Sequence, residues 1–175
     1  PASNSDVLRY EFGDWEPKYS GNGKTIYLVD SGINASHTEL ANATISNLHS
    51  AYGTDYADST GHGTSMAGLM VGRNIGVARQ ATVKNVKLFN DASGNVTLGH
   101  VINALDAVLA DHNSGNVADV KVMCAPWTTA QNNLIDSKIG ELNSANIVVV
   151  AAAGNQNDNV ANYSPAGVDA IITVG

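Results

Sequence analysis

Asp30 in Val29-Asp30-Ser31-Gly32-Ile33, His62 in Gly61-His62-Gly63-Thr64 and Asn155 in Ala152-Ala153-Gly154-Asn155 bring a carboxylate, an imidazole and an amide from three distant segments. An imidazole serving as general base needs a carboxylate on its other ring nitrogen, which fixes the tautomer and stabilises the imidazolium. Asp30 beside His62 would meet that need. Taken singly, each motif has an ordinary reading: Asp-Ser-Gly after a strand is a common turn, and a lone histidine at a helix start is a common cap or surface group. Taken together, three segments share a strand end or helix start and glycine surroundings, which favours one cleft over three coincidences.

The elements that must position these groups follow from the apolar pattern. Strand-length apolar runs alternate with helical patterns, the signature of a parallel sheet with crossover helices and hence of an α/β, three-layer, doubly wound fold in a single domain over 1–175. Predicted strands are Thr25 to Asp30, Ala43 to Leu48, Thr82 to Phe89, Asp119 to Ala125, Asn146 to Ala152 and Ala170 to Val174. The unbroken Ile147-Val148-Val149-Val150 run reads as a strand covered on both faces, near the middle of the sheet. Leu98, Val101, Ile102, Leu105, Val108 and Leu109 recur at helical spacing, with Thr97 as N-cap and Gly115 beyond the end. A second helix is predicted from Asn132 to Ser144 and a third from about His62 through Met66, Ala67 and Met70. Ser20-Gly21-Asn22-Gly23 is a turn into the first strand. In open sheets of this kind, functional groups gather at the carboxyl ends of the strands. Asp30 ends one strand, Asn155 follows another closely, and His62 opens a helix after a loop, so all three can reach one cleft.

Composition sets wider bounds. A chain of 175 residues is one domain by size and can bury roughly 70% of its unfolded surface. Hydrophobic residues make up 43% of it and glycines number 17, which fits a globular protein rich in tight turns. A net charge of -7 argues against nucleic acid or an anionic membrane as the main partner. No run approaches the ~20 apolar residues of a membrane span, and no N-terminal stretch resembles a signal peptide. The opening Pro1-Ala2, without methionine, suggests a trimmed chain. Cys124 is the only cysteine, so no internal disulfide can form and the redox compartment stays open. A secreted, extracellular or virion-type setting is favoured over the cytoplasm.

With these residues in view, the sequence from about Gly23 to Gly175 resembles the subtilisin-like serine proteases (subtilases), most closely their proteinase K branch. Ala35-Ser36-His37, Gly76-Val77-Ala78, Tyr163-Ser164-Pro165-Ala166 and Thr173-Val174-Gly175 join the three motifs above in carrying that resemblance. It implies Asp30 as orienting carboxylate, His62 as general base and Asn155 as side-chain donor of an oxyanion hole. It also implies a nucleophilic serine in a Gly-Thr-Ser-Met-Ala motif beyond Gly175, so this chain alone should not cleave peptides. The same string occurs here as Gly63-Thr64-Ser65-Met66-Ala67, directly after His62. One helical turn from the imidazole, Ser65 is poorly placed to share a substrate carbonyl with it, and helix packing is its expected role.

The resemblance further implies an extended peptide bound as an added strand between two edge segments. Here these are Ser93-Gly94-Asn95 and Ala125-Pro126-Trp127-Thr128-Thr129, with Ala153 and Gly154 on the pocket wall. Where the second segment usually reads close to Ser-Leu-Gly-Gly, Pro126 removes a donor and Thr128 and Thr129 add side chains. Two views stand equal: the groove is narrowed, or Trp127 simply fills the hydrophobic position usually held by leucine. His37, His49, His100 and His112 lack ligand spacing and read as surface or capping residues. No cofactor is certain. Calcium as a structural ion is common in the family, but its ligands cannot be assembled from this chain, and the Gly72 to Gly76 turn is short for a calcium loop. Cys124 reads as a small core residue, and Asp55, Asp58, Asp91, Asp111 and Asp158 as a solvated acidic surface.

Two functions fit. One is a serine endopeptidase acting on peptide or protein substrates, its serine supplied by a second polypeptide or a missing C-terminal segment. The other is an inactive subtilase-like domain with a structural or interaction role in a larger assembly. Both predict a partner, since a sheet without the family's last helices would leave apolar surface exposed.

Overall fold

The computed structural model describes residues 20–90 and 95–175. Six parallel strands form the central sheet: β1 (Thr25–Asp30), β2 (Thr44–Ser50), β3 (Thr82–Lys87), β4 (Lys121–Ala125), β6 (Ile147–Ala152) and β8 (Ile172–Val174). A two-stranded antiparallel ribbon pairs β5 (Thr129–Ala130) with β7 (Tyr163–Ser164). The sheet order is β2-β3-β1-β4-β6-β8. From β1 the chain goes out to the edge strand β2, returns through β3 between them, and then restarts on the other side with β4, which places a topological switch point between β1 and β4.

Three helices cover the sheet: α1 (His62–Val71), α2 (Leu98–Ser114) and α3 (Asn133–Ser144). Alternation along the strands separates two cores. Tyr27, Val29, Val86, Met123, Ile147 and Val149 face α2 and α3 through Leu105, Val108, Ile139 and Leu142, all fully buried. Leu28 and Val83 face the other way, toward Ala67 and Val71 of α1. The predicted three-layer α/β fold is therefore the observed one. Each buried Leu, Ile or Val here contributes about 1.5–3 kcal/mol by leaving water.

The predicted caps are in place. Thr97 Oγ1 accepts from the His100 N–H at 3.1 Å, and Asn132 Oδ1 accepts from Leu134 and Ile135 at 3.0 and 3.4 Å. Gly115 ends α2, its N–H returning to the His112 carbonyl. Unlike the other two, α1 has Gly61 at its N-cap with φ 84° and no side-chain cap of its own.

Two expectations are corrected. The Val-rich β6 is not central but next to the edge strand β8. Only its Ile147, Val149 and Ala151 are buried, because α2 and α3 cover one face whereas the cluster around α1 on the other face reaches β1, β2, β3 and Cys124 of β4 but no residue of β6. Ile172 and Val174 on β8 are more than half exposed. His112, read as a surface or capping residue, is fully buried in α2, where burial lowers its pKa.

Candidate active site

At the carboxyl end of β1, Asp30 is 2% exposed. Its main-chain carbonyl accepts from Leu88 at 2.7 Å and Phe89 at 3.2 Å, so the backbone there is held by the segment leaving β3. His62, the first residue of α1, sets Nδ1 at 2.8 Å from Asp30 Oδ1 and 2.9 Å from Oδ2. Asp30 Oδ1 also accepts the Ser31 N–H at 2.6 Å. Burial pushes the Asp30 pKa up, and the His62 and Ser31 hydrogen bonds oppose that rise. With Nδ1 committed to the carboxylate, Nε2 belongs to the outer side of a ring that is 52% exposed. This is the arrangement of a general base: anchored behind, accessible in front.

Close approach makes the pair possible. Gly63 lies against the Gly32 carbonyl and 3.2 Å from Asp30 Oδ1, measured from where its Cβ would be, and only glycine fits there.

The loop between β2 and α1 is fastened to the sheet by groups that sequence reading missed. Lys87, fully buried in register with Asp30, donates to Asp55 Oδ2 at 2.7 Å and to the Ala57 carbonyl at 2.6 Å. Asn85 donates to the Tyr56 carbonyl at 3.0 Å. Asp55 is exposed as expected but is tied down by Lys87, whereas Asp58 and Asp111 are partly buried structural partners and not a solvated surface, Asp111 accepting from Tyr27 OH and Lys84 Nζ. Asp158 is exposed as expected, and Asp91 lies outside the described residues. The missed signal was polar residues at Lys84, Asn85 and Lys87 in a strand otherwise built to be buried.

Asn155 stands three residues past the end of β6 and is exposed. The strand it follows, β6, lies two strand spacings, or roughly 10 Å, from β1, whose carboxyl end carries Asp30. The Asn155 main-chain N–H donates to Gln156 Oε1 at 2.8 Å. Ala153 is tied to β8 through the Val174 carbonyl. Gly154 has φ 95°, and a methyl there would collide with Gln156 Oε1 and stand 3.2 Å from Thr128 Oγ1. Thr128 and Gln156 thus close on this glycine from two sides.

A cavity of about 370 Å³ opens between the segment entering α2 and the one leaving β4, lined among others by Asn95, Val96, Leu98, Trp127, Thr128 and Ile135. Ser93 and Gly94 lie outside the described residues. Trp127 donates its Nε1–H to the Val29 carbonyl at 3.0 Å and sets its ring edge against Phe89, so it is core packing as well as cavity wall. Pro126 and Thr128 are half-buried, whereas Thr129 pairs with Ser164 in the ribbon. Ser65 does not pack α1: it is exposed, and its hydroxyl donates to the Gly61 carbonyl at 2.8 Å. Among the described residues no group of three or more His, Cys, Asp or Glu could hold a metal, and no described helix is long and apolar enough to cross a membrane.

Known proteins resemble this chain in sequence, and a solved structure resembles it in fold. The chain is 31% identical over 156 residues to proteinase R of Parengyodontium album and 34% identical over 158 residues to an alkaline proteinase of Hapsidospora chrysogena, in each case over 89% of this chain. It spans only 40% and 38% of those relatives. A crystal structure of a cold-adapted subtilisin-like serine proteinase superposes with a TM-score of 0.80 at 29% identity, covering 93% of this chain and 57% of that one. Residues 21–175 match the family description of the subtilases, peptidase S8, and the chain belongs to that family.

Proposed function

We propose that this chain carries the acid, the base and one oxyanion donor of a subtilisin-like serine endopeptidase, with the nucleophilic serine contributed by polypeptide outside residues 1–175. The observation that carries this reading is the Asp30–His62 pair, a buried carboxylate on Nδ1 of a half-exposed imidazole. Asp30 would hold the tautomer; His62 Nε2 would take the serine proton and return it to the leaving amine. The Asn155 amide would donate to the oxyanion, a role in which loss of the corresponding donor of a subtilisin costs about 10²–10³ in kcat. An extended peptide would lie along the cavity walled by Asn95, Trp127 and Thr128, which Gly154 approaches through the Thr128 hydroxyl and which Pro126 and Ala153 do not line.

A structural calcium would not sit at the 72–76 turn. The Glu39 carboxylate at the 72–76 turn already accepts from Asn74 N, Asn74 Nδ2 and Ile75 N at 2.7, 2.8 and 3.0 Å, so that turn does not fit a cation.

One observation favours the second reading, an inactive subtilase-like domain with a structural role. Thr128 and Gln156 crowd Gly154, at the wall where substrate would have to pass. Labelling with a fluorophosphonate, on purified protein with every associated chain present, separates the two. Modification of a serine outside residues 1–175, lost in His62→Gln, supports the endopeptidase. Absence of any modification, with the Asp30–His62 bond intact, supports the inactive domain.

A further inference from the structure

The first turn of α1 has no capping side chain at Gly61, yet every main-chain N–H from 60 to 64 is satisfied, and all lead to one carboxylate. Asp58 Oδ1 accepts from Thr60 N at 3.0 Å, Gly61 N at 2.9 Å and Ser31 Oγ at 2.7 Å. Its Oδ2 accepts from Thr64 N at 2.9 Å and Thr64 Oγ1 at 2.5 Å. The two remaining N–H groups reach it through hydroxyls, Gly63 N by way of Ser31 and His62 N by way of Thr60 and then Ser31. His62 N donates to Thr60 Oγ1 at 3.2 Å, and Gly63 N donates to Ser31 Oγ at 3.0 Å. Thr60 Oγ1 in turn donates to Ser31 Oγ at 2.9 Å.

Ser31 is the residue after Asp30, and its own N–H is on Asp30 Oδ1. The Asp58 carboxylate therefore reaches both members of the pair: it takes main-chain N–H groups at the start of the helix that carries His62, and it takes the hydroxyl of Ser31, the residue next to Asp30. We infer that Asp58 is a positioning residue that fixes the distance and orientation of His62 against Asp30. It works as a remote N-cap, placed ahead of Gly61 because only a residue without a Cβ is comfortable at that left-handed φ. Negative charge at the helix N-terminus is also favoured by the aligned peptide dipoles. The inference rests on the proposed catalytic pairing, and its test keeps the two apart.

The readout is the low-field proton resonance of the His62 Nδ1–H bonded to Asp30, assigned by its disappearance in His62→Gln. Asp58→Asn has the same shape, but its NH2 meets other donors where the carboxylate accepted. In a folded Asp58→Asn variant the resonance should broaden or vanish, with exchange against solvent roughly tenfold faster or more. Ser31→Ala, which cuts the bridge to Asp30 but leaves Asp58 capping the helix, should move the same resonance in the same direction, and it serves if Asp58→Asn does not fold. An unchanged resonance in folded Asp58→Asn, or in Ser31→Ala, overturns the positioning role while leaving the pairing intact. Its absence from the parent protein overturns the pairing itself, and the positioning role with it.

Discussion

Gly63 faces the carbonyl of Gly32 with no room for a side chain between them, so the helix bearing His62 sits directly on the chain leaving Asp30. Backbone meets backbone at this contact, and neither side can yield by turning a rotamer. The 2.8 Å Asp30–His62 bond is thus set by main-chain packing as much as by the two side chains.

A methyl group at Gly63 should therefore be costly. Gly63→Ala is expected to destabilise the fold by about 1–3 kcal/mol, as overpacking does, and to lower Tm by several degrees. Gly140, inside α3 with nothing within 4 Å of its Cβ position, is the matched control. There alanine should stabilise by about 0.5–1 kcal/mol through helix propensity. Equal effects at the two positions, by thermal unfolding, would refute the close-approach argument.

Trp127 is anchored by its indole N–H on the Val29 carbonyl and by its edge contact with Phe89. Trp127→Phe keeps an aromatic ring but drops the hydrogen bond, and should cost about 1–2 kcal/mol. Trp127→Ala should cost about 3–5 kcal/mol. Urea unfolding measures both; a midpoint that does not move in Trp127→Ala would return this residue to a purely recognitional role.

What could be read from the sequence was what repeats or caps. The spacing of Val101, Leu105 and Val108, the caps at Thr97 and Asn132, and the Asp-Ser-Gly and Gly-His-Gly-Thr motifs each leave a local signature, and local physics decided them. What escaped was decided by tertiary contact. Asp58 looks like any loop aspartate until the fold brings Ser31 and Thr64 onto it. Lys87 looks like a solvated lysine until the loop at Asp55 closes over it. The β6 run reads as a central strand because its four apolar residues in a row cannot say how many neighbours lie beyond. The structure supplies only β8 there.

Cys124 lies on β4, level with Leu28, and its thiol pKa is pushed up to about 11, by burial first and then by the Asp30 charge. Since the thiolate is the reactive form, the native thiol should react with a disulfide reagent at pH 8 roughly 100-fold more slowly than the same cysteine in urea. The comparison is a single absorbance trace in each condition. Equal rates would mean that this side chain is not held where the fold puts it.

Asp58 also dictates how the fold responds to acid. Burial alone would raise its pKa, but hydrogen bonds from Thr64, Ser31 and the Thr64 and Thr60 N–H groups outweigh it and hold the carboxyl at about 2. A folded pKa below the unfolded one means that the charged form stabilises the fold. That contribution is complete above the unfolded value of about 4 and is lost as pH falls through the folded value near 2. At neutral pH it is at most on the order of 2 kcal/mol. Asp58→Asn removes the titrating group, so the urea midpoints of parent and variant should differ most at pH 6 and converge as pH falls toward about 2. A gap between midpoints that stays constant from pH 6 down to about 2 would show that the Asp58 carboxylate is not held as its hydrogen bonds require.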